Sequence, residues 1–295
     1  SYSMSISRQN LSIVIVTFRS EEVIHKCIKS IDKDIKITVI ENSNNYQFKD
    51  ELEKSYKNVS CVLSSKNLGM GSGNNIGIKK SATDFVLILN PDVILETSTI
   101  NELITASAKI SSFSMIAPIS SDINYPNYKL NNNKKNEIDY NFPFKVKSID
   151  GFAMLLNKKQ LDKILNKNYF DENFFMYLEN DDLCKRIIDA QEDIYIAPMS
   201  KIKHLGGKAV SKKYKNEVEF ARNWHWIWSK FYFNKKHYGY SVAFLKGFPK
   251  LFSSLLKYIF YSLIRNKIKQ KIYFNRASGF LNAAINKKSW YRSQF

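Results

Sequence analysis

The sequence has few cysteines and lacks the P-loop motif that binds nucleotides, and each of these facts excludes a class of protein. It contains only Cys27, Cys61 and Cys184, an odd number without the spacing of metal ligands. This usage fits a reducing compartment and unpaired structural thiols rather than a disulfide framework. No Gly-Lys-Ser or Gly-Lys-Thr occurs, which excludes a P-loop.

Acidic residues are almost absent from the last third of the chain. Residues 201–295 hold 21 Lys and Arg against two acids, a net charge of +19, whereas residues 1–200 have a net charge of −1. The entire positive excess therefore lies in this segment. Such a segment indicates an anionic partner, either lipid headgroups or nucleic acid, with a solvated face as the plainer alternative.

Apolar runs rich in β-branched residues alternate with helical stretches in the first 90 residues. We predict strands at 11–18, 35–40, 59–63 and 85–89, and helices at about 20–30, 47–56 and 74–81. Ser20 is placed to cap the first helix. The alternation predicts an α/β fold with a doubly wound, mostly parallel sheet flanked by helices.

The fourth predicted strand ends abruptly at Asn90-Pro91-Asp92. Pro91 cannot donate to a strand ladder, so the strand stops there and Asp92 lies at its carboxyl end. Ligands bind at that edge in open α/β sheets, and a carboxylate there can hold a divalent cation. The alternative is an ordinary strand-terminating turn, because Asn, Pro and Asp all favour turns.

A glycine-rich segment, 67–77, follows the third predicted strand. Gly69, Gly71 and Gly73 do not follow the dinucleotide-binding pattern in position, since that fingerprint should close the first strand. We expect the segment to permit close backbone approach to a ligand. A flexible turn is the alternative.

Eight sequence pieces, taken together, resemble glycosyltransferase family 2, and specifically its rhamnosyltransferase-like branch. They occur in family order over roughly residues 11–240. The pieces are Ile-Val-Thr-Phe at 15–18, Val-Ile-Glu-Asn-Ser at 39–43, Asn-Leu-Gly at 67–69 with Asn-Asn-Ile-Gly at 74–77, Asn-Pro-Asp-Val at 90–93, Ile-Asp-Gly-Phe-Ala-Met-Leu-Leu at 149–156, Phe-Phe-Met-Tyr-Leu-Glu-Asn-Asp-Asp-Leu-Cys at 174–184, His204, and Ser-Lys-Phe-Tyr-Phe-Asn-Lys-Lys-His-Tyr-Gly at 229–239.

The resemblance implies a GT-A-type fold and inverting transfer of a sugar, rhamnose or another hexose, from a dTDP- or UDP-sugar donor. It implies a catalytic domain at 1–215, with a nucleotide-sugar half at about 8–120 and an acceptor half at about 145–215. Asn90 and Asp92 stand in the family's metal motif, with Asn90 replacing an acid, and His204 matches a histidine that completes a Mg²⁺ or Mn²⁺ site. The residues matched to donor binding are Thr17, Glu41, Asn67, Gly69, Asn74, Asn90 and Asp92.

The general base is expected within Glu179-Asn180-Asp181-Asp182, since an acceptor hydroxyl needs a carboxylate to take its proton. In much of the family the second residue is the base, and here it is an amide. We therefore favour Glu179 or Asp181, with Asp182 as an orienting group. Acids at a helix start can also serve only as partners of the helix dipole.

The acceptor cleft is expected beside a strand at 149–156 that carries Asp150 and Gly151, where the glycine would allow close approach. The polar, Asn-rich segment 121–147 is predicted to be an insertion or mobile loop that covers the donor site.

The last part, 216–295, is predicted to be a helical, basic extension. Its aromatic cluster, 224–233, is expected to pack against the catalytic domain or to form a membrane-interface belt. A helix over 250–265 would be amphipathic, and its two lysines argue against a membrane span. It fits a helix lying on an anionic membrane, or one packed on the enzyme or in a homodimer. Its basic stripe and the lysine that precedes it comprise Lys246, Lys250, Ser254, Lys257, Tyr261 and Arg265.

These patterns together predict a bacterial, metal-dependent glycosyltransferase at the cytoplasmic face of the plasma membrane. Its acceptor would be a glycan or a lipid-linked sugar of the cell envelope. Two alternatives stay open: a nucleic-acid-binding protein that uses the basic third, and an inactive family member, suggested by Asn90 and Asn180. The helical spacing of the aromatic residues weakens the first, and we expect no nucleic-acid partner.

Overall fold

The structure is a computed structural model that describes residues 5–131, 137–206 and 212–293. The chain divides into two compact units. The first comprises Ser1–Asp171 and Asn180–Ser211, and the second comprises Glu172–Glu179 and Lys212–Phe295. Each unit has its own hydrophobic core.

A nine-stranded mixed sheet with helices around it forms the first unit, which confirms the predicted α/β class. The strands of this unit are β1 (Leu11–Thr17), β2 (Lys36–Glu41), β3 (Val59–Leu63), β4 (Phe85–Leu89), β5 (Val93–Leu95), β6 (Met115–Ser120), β7 (Tyr128–Lys129), β8 (Phe144–Lys145), β9 (Ser148–Ile149), β10 (Ala153–Asn157) and β11 (Ile194–His204). Strand order in the large sheet is β3-β2-β1-β4-β10-β6-β11-β5, and β8 pairs with β11 outside this path. Strands β3, β2, β1 and β4 are parallel, β10 runs antiparallel between β4 and β6, and β6 is parallel to β11.

The helices of this unit pack against the sheet, and one of them does so through glycine. They are α1 (Ile24–Lys29), α2 (Tyr46–Ser55), α3 (Met70–Lys80), α4 (Thr99–Ser107), α5 (Lys158–Leu165) and most of α6 (Glu179–Asp189). A Cβ at Gly77 of α3 would lie 2.3 Å from Cγ1 of Val14, and one at Gly73 would lie 2.9 Å from Val16. These glycines let α3 approach β1 closely, so their packing partner is the sheet.

The first helix begins later than predicted. Ser20 does not cap it, because the Ser20 hydroxyl exchanges hydrogen bonds with the backbone of Phe18 at 3.2 Å. Its carbonyl accepts from the N–H groups of Val23 and Ile24, so a turn precedes α1, which starts at Ile24. The local side-chain bond therefore takes the place of a cap.

The single strand predicted over 149–156 is two strands. Ser148–Ile149 pairs with Tyr128–Lys129 in a small antiparallel sheet, whereas Ala153–Asn157 joins the large sheet between β4 and β6. The chain breaks between them because the N–H of Asp150 donates to Asn127 O, and Phe152 O accepts from Asn90 N, both at 3.0 Å.

The segment 121–147 is not a free loop, since β7 and β8 both lie within it. Asn127 anchors it from a buried position with φ +82°. Its amide donates to Pro118 O at 2.8 Å and to Ala153 O at 2.9 Å. Part of the Asn-rich stretch, residues 132–136, lies outside the described residues.

The second unit is helical, as predicted, and consists of long helices around an aromatic core. Its helices are α7 (Lys215–Tyr238), α8 (Tyr240–Leu263) and α9 (Lys267–Ala284). Trp224 and Trp228 are buried in that core with Phe231 and Phe280, so the idea of a membrane belt is wrong for these tryptophans. Trp226 is exposed and makes an edge contact with Tyr177.

Helix α8 is longer than predicted and runs through Pro249. The predicted basic stripe lies on it or directly after it, and its apolar side chains are largely exposed. No helix in the described ranges is both long enough and apolar enough to span a bilayer. The exposed aliphatic and phenylalanine side chains of α8 and of Ile264, which directly follows it, are Leu245, Phe248, Phe252, Leu255, Leu256, Ile259, Phe260, Leu263 and Ile264.

Candidate active site

The carboxyl ends of three adjacent parallel strands bring four of the predicted donor residues to one edge of the sheet. Thr17 ends β1 and is paired with Glu41, which ends β2. Asn90 and Asp92 follow β4, which lies on the other side of β1. This is the edge at which parallel α/β sheets bind ligands. The hydroxyl of Thr17 is buried there and has no hydrogen-bond partner in the part of the chain that the structure describes.

Asp92 and His204 form the centre of this edge. Oδ2 of Asp92 lies 3.3 Å from Nε2 of His204, and Asp92 is only 1% exposed. The register of β5 and β11 places His204 opposite Val93, and Leu205 N donates to Asp92 O at 3.1 Å. Two strands therefore bring together residues that are far apart in the sequence.

Two oxygen atoms at this centre are buried without a protein partner among the described residues. They are Oδ1 of Asp92 and Oδ1 of Asn90. Burying a carboxylate oxygen without a partner is costly, so such an atom points to a missing ligand. Carboxylate, amide and imidazole are ligands that Mg²⁺ or Mn²⁺ accepts, and the residues present therefore fit such an ion.

The protein alone supplies few ligands for a cation. No group of three or more His, Cys, Asp or Glu side chains that could hold a metal occurs within 5–131, 137–206 and 212–293. A divalent ion bound between Asp92 and His204 would need further oxygen atoms from a bound molecule or water. Mg²⁺ is commonly held this way, by one or two carboxylates plus the phosphates of a substrate.

The side chain of Glu41 is turned onto its own loop. Oε2 accepts from Asn45 N at 2.8 Å, and Oε1 accepts from Ser43 N at 3.1 Å and from the Ser43 hydroxyl. Glu41 is fully buried, and these bonds satisfy its charge locally. Its contact with a nucleotide base stays a prediction.

The glycine-rich segment is mostly the first turns of a helix. Helix α3 starts at Met70, four residues before the predicted start, and Gly69 precedes it with φ +86°. Asn67 accepts from Gly69 N at 3.1 Å, and the amide of Asn42 donates to Gly69 O at 3.0 Å. Oδ1 of Asn74 is buried without a hydrogen-bond partner within the described ranges, so it too is available to a ligand.

A second group of charges lies around Asp150 and Asp181. Burial raises the pKa of both carboxyl groups above the ordinary value. The negative charge of Asp181 raises the pKa of Asp150 further, whereas Lys129 opposes the rise at both carboxyls and Lys147 opposes it at Asp181. Phe152, two residues after Asp150, stacks on His204, so this stretch of the chain adjoins the Asp92 centre. A carboxylate with a raised pKa is suited to accept a proton near neutral pH.

Asn180, at the position of the family's usual base, has a structural contact. Its amide donates to Ile149 O at 2.9 Å and so ties α6 to β9. A Cβ added at Gly151 would lie 3.5 Å from the Asn180 side chain, which is ordinary contact. The close approach that we predicted at Gly151 therefore does not require glycine.

Asp182 and Glu179 differ from Asp181 in their surroundings. Asp182 is fully buried and accepts from Nε of Arg186 at 2.9 Å. Arg186 also donates to Asn168 O at 2.7 Å and to Tyr169 O, so this carboxylate orients an arginine that holds a loop. Glu179 begins α6 but belongs to the second unit.

Sequence reasoning missed Phe152 and Lys129. The ring of Phe152 stacks on His204, and Lys129 interacts with both acids of the second group. Phe152 lies inside a piece that we matched to the family, but an aromatic residue there is typical of a core position. Lys129 precedes the Asn-rich stretch and carries no sequence signal of its own.

Comparisons with known proteins point to one family. Residues 12–165 match the family model described as Glycosyl transferase family 2. The low-salt glycan biosynthesis hexosyltransferase Agl10 of Haloferax volcanii is 28% identical in an alignment of 195 residues that covers 60% of this chain and 61% of that protein. The alignment thus spans about three fifths of the length of this curated relative.

Two crystal structures have similar folds. One, of GalNAc-T7 with UDP, GalNAc and Mn²⁺, gives a TM-score of 0.54 at 14% identity and covers 76% of this chain and 52% of that one. The other, of residues 1–349 of S. aureus TarS, gives 0.51 at 13% identity and covers 96% of this chain and 93% of that one. At these identities the similarity establishes a GT-A-like fold.

Proposed function

Since this chain belongs to glycosyl transferase family 2, we propose that it is an inverting, metal-dependent hexosyltransferase. The donor would be a dTDP- or UDP-sugar, with rhamnose or another hexose as the transferred group, and the enzyme would belong to the rhamnosyltransferase-like branch. The observation that carries this proposal is the Asp92–His204 pair at the carboxyl edge of the parallel strands.

The metal has a defined task in such a reaction. Departure of a nucleoside diphosphate builds negative charge on its phosphates, and a Mg²⁺ or Mn²⁺ ion there supplies a Lewis acid. Asp92, His204 and the amide oxygen of Asn90 are the residues that would hold it. The Mn²⁺ of the GalNAc-T7 crystal structure belongs to that protein and is consistent with this assignment.

The acceptor hydroxyl needs one base, because inversion takes place in a single displacement without a covalent intermediate. Of the two candidates from the sequence, Asp181 is the better supported. Its pKa is raised by burial, and the amide of Asn180 next to it is bonded to the carbonyl of Ile149, the residue before Asp150. Asp150 would contact the acceptor, while Asp182 would only position Arg186.

The acceptor would be a glycan or a lipid-linked sugar of a bacterial cell envelope, with the enzyme at the inner face of the plasma membrane. The glycan-biosynthesis role in the name of the Haloferax volcanii relative supports a glycan acceptor, and the exposed apolar side chains of α8 support a place at a membrane. A homodimer formed through α8 would cover the same residues. Domains would follow the sequence division, with catalysis in 1–215 and attachment in 216–295.

Turnover with a panel of donors tests the proposal. The purified chain would be incubated with dTDP-rhamnose, UDP-galactose, UDP-glucose and GDP-mannose, each with Mn²⁺, Mg²⁺ or EDTA, and release of the nucleoside diphosphate measured. We expect slow, metal-dependent hydrolysis of one dTDP- or UDP-sugar. Release of no nucleoside diphosphate from any donor would contradict the proposal and favour an inactive family member.

A further inference from the structure

A cationic groove lies in the second unit, between α7 and α8. It has a volume of about 380 Å³, an apolar floor that includes Phe231 and Phe280, and three lysines on its walls: Lys230, Lys246 and Lys250. A Cβ at Gly247 would lie 2.4 Å from the Phe280 ring, so this glycine lets α8 pack against the floor.

The three ammonium groups repel one another in this groove. Burial, the adjacent Lys250 and the charge of Lys246 together lower the pKa of Lys230 to about 8. Desolvation and like charges both disfavour the protonated lysine, and a bound anion would reverse both effects.

The chain offers this cluster almost no counter-charge. The sequence contains no Asp or Glu from residue 220 to residue 295, a range that includes all of α8 and α9. The acids of the second unit are therefore Glu172, Glu179, Glu217 and Glu219, and none of them lines the groove. A natural sequence that gathers three lysines without a carboxylate indicates an anion from another molecule.

The other side chains of the helix that carries Lys246 and Lys250 indicate which kind of anion. Phe248 and Phe252 are exposed on the same helix as two of the lysines, and the apolar exposure continues along the helix to Leu263. A free phosphate would make no favourable contact with these exposed apolar side chains. A lipid has both an anionic headgroup for the lysines and an apolar chain for the apolar side chains.

We propose that this groove binds the phosphate group of an anionic lipid, through Lys230, Lys246 and Lys250. The proposal of an anion site depends only on the three lysines and the groove that they line. The choice of a lipid as the source of the phosphate rests on the membrane location proposed above. The lysines would hold the phosphate while the apolar residues of α8 contact the acyl region. Attachment to the membrane would thus depend on the binding of a phosphate in this groove rather than on the positive charge of the basic surface as a whole.

Vesicle flotation with two matched triple variants tests the proposal. Vesicles of phosphatidylcholine with or without phosphatidylglycerol would be mixed with wild type, K230Q/K246Q/K250Q, or K267Q/K269Q/K271Q, which removes the same charge from exposed positions of α9. We expect the groove triple to bind anionic vesicles about 100-fold more weakly, and the α9 triple to lose less than about threefold. Equal losses in both triples, or no loss in the groove triple, would overturn the proposal.

Three further measurements make the result independent of folding and of catalysis. K230R/K246R/K250R should retain binding, and its failure to do so despite a native circular dichroism spectrum would contradict a charge-based site. Calorimetry with inorganic diphosphate separates the sources, because binding of diphosphate without binding of vesicles would rule out the lipid. Donor binding, measured on the same variants, should be unchanged, so failure of the proposed hexosyl transfer would be visible separately.

Discussion

The imidazole of His204 lies flat on the ring of Phe152, with the ring centroids 4.1 Å apart and the planes within 4° of each other. The backbone of Phe152 is fixed in turn, since its carbonyl accepts from Asn90 N at 3.0 Å. The stack holds the imidazole plane while Nε2 lies 3.3 Å from Asp92. Phe152 therefore links the strand end that carries Asp92 to the strand that carries His204.

Replacing Phe152 by leucine should weaken metal use without removing a ligand. The loss of the flat ring frees His204 to rotate, and support residues of this kind typically contribute about 10–100-fold to metal affinity. The half-saturating Mn²⁺ concentration for donor hydrolysis should rise by about that factor. Phe142→Leu, at an exposed position, is the control and should leave it unchanged. An equal effect of both substitutions would refute a positioning role.

Asp181→Asn and Glu179→Gln should separate the two candidate bases. We expect Asp181→Asn to reduce transfer to an acceptor by about 10²–10⁴-fold, because the hydroxyl then has no proton acceptor. Binding of the donor, followed by calorimetry, should persist. Glu179→Gln should retain most of the transfer activity. The reverse result would assign the base to Glu179.

The acidic limb of the pH–rate profile should move when Lys129 is replaced by glutamine. Burial holds the pKa of Asp181 above its ordinary value, while Lys129 and Lys147 oppose that shift. Removal of one cation destabilises the carboxylate, so its pKa rises and activity should begin only at higher pH. The limb of kcat/KM should shift upward, with little change at alkaline pH where the base is ionised. Lys57→Gln, on an exposed turn, serves as the charge-matched control.

Gly77→Ala should destabilise the first unit although alanine favours helix. The new Cβ would lie 2.3 Å from Val14 Cγ1, and such overpacking typically costs about 1–3 kcal/mol in the free energy of unfolding. Gly151→Ala meets its nearest neighbour at 3.5 Å and should change stability little. Urea unfolding followed by circular dichroism would measure both. All four tryptophans lie in the second unit, so their fluorescence gives that unit's unfolding separately.

The four strands predicted in the first 90 residues all form, each within one residue of its predicted bounds. β1 and β4 are fully buried and have continuous apolar runs, which leave little choice of structure. The start of α1 was wrong because the Ser20 hydroxyl had a nearer partner in Phe18. The break at 150–152 was missed because its cause is distant in sequence, in the bonds to Asn127 and Asn90.

In the candidate site, too, residues with a local sequence signal were predictable and residues whose contacts come from distant parts of the chain were not. Asp92 was predictable because Pro91 ends an apolar strand, and His204 was found through its resemblance to the family. Phe152 and Lys129 were not, since Phe152 meets His204 only in the folded chain and Lys129 is brought opposite Ser148 by the pairing of β7 with β9. No local pattern marks a residue whose partner is supplied by the topology.

In the proposed enzyme, Asp92 holds a metal ion that in turn binds the donor. Calorimetric titration with the best donor from the panel is the most direct test of this role. Wild type, Asp92→Asn and the exposed control Asp50→Asn would each be titrated with and without Mn²⁺. We expect Mn²⁺ to strengthen donor binding in wild type and in Asp50→Asn by at least about tenfold, and to have almost no effect in Asp92→Asn. An undiminished effect of Mn²⁺ in a folded Asp92→Asn variant would contradict the site described here.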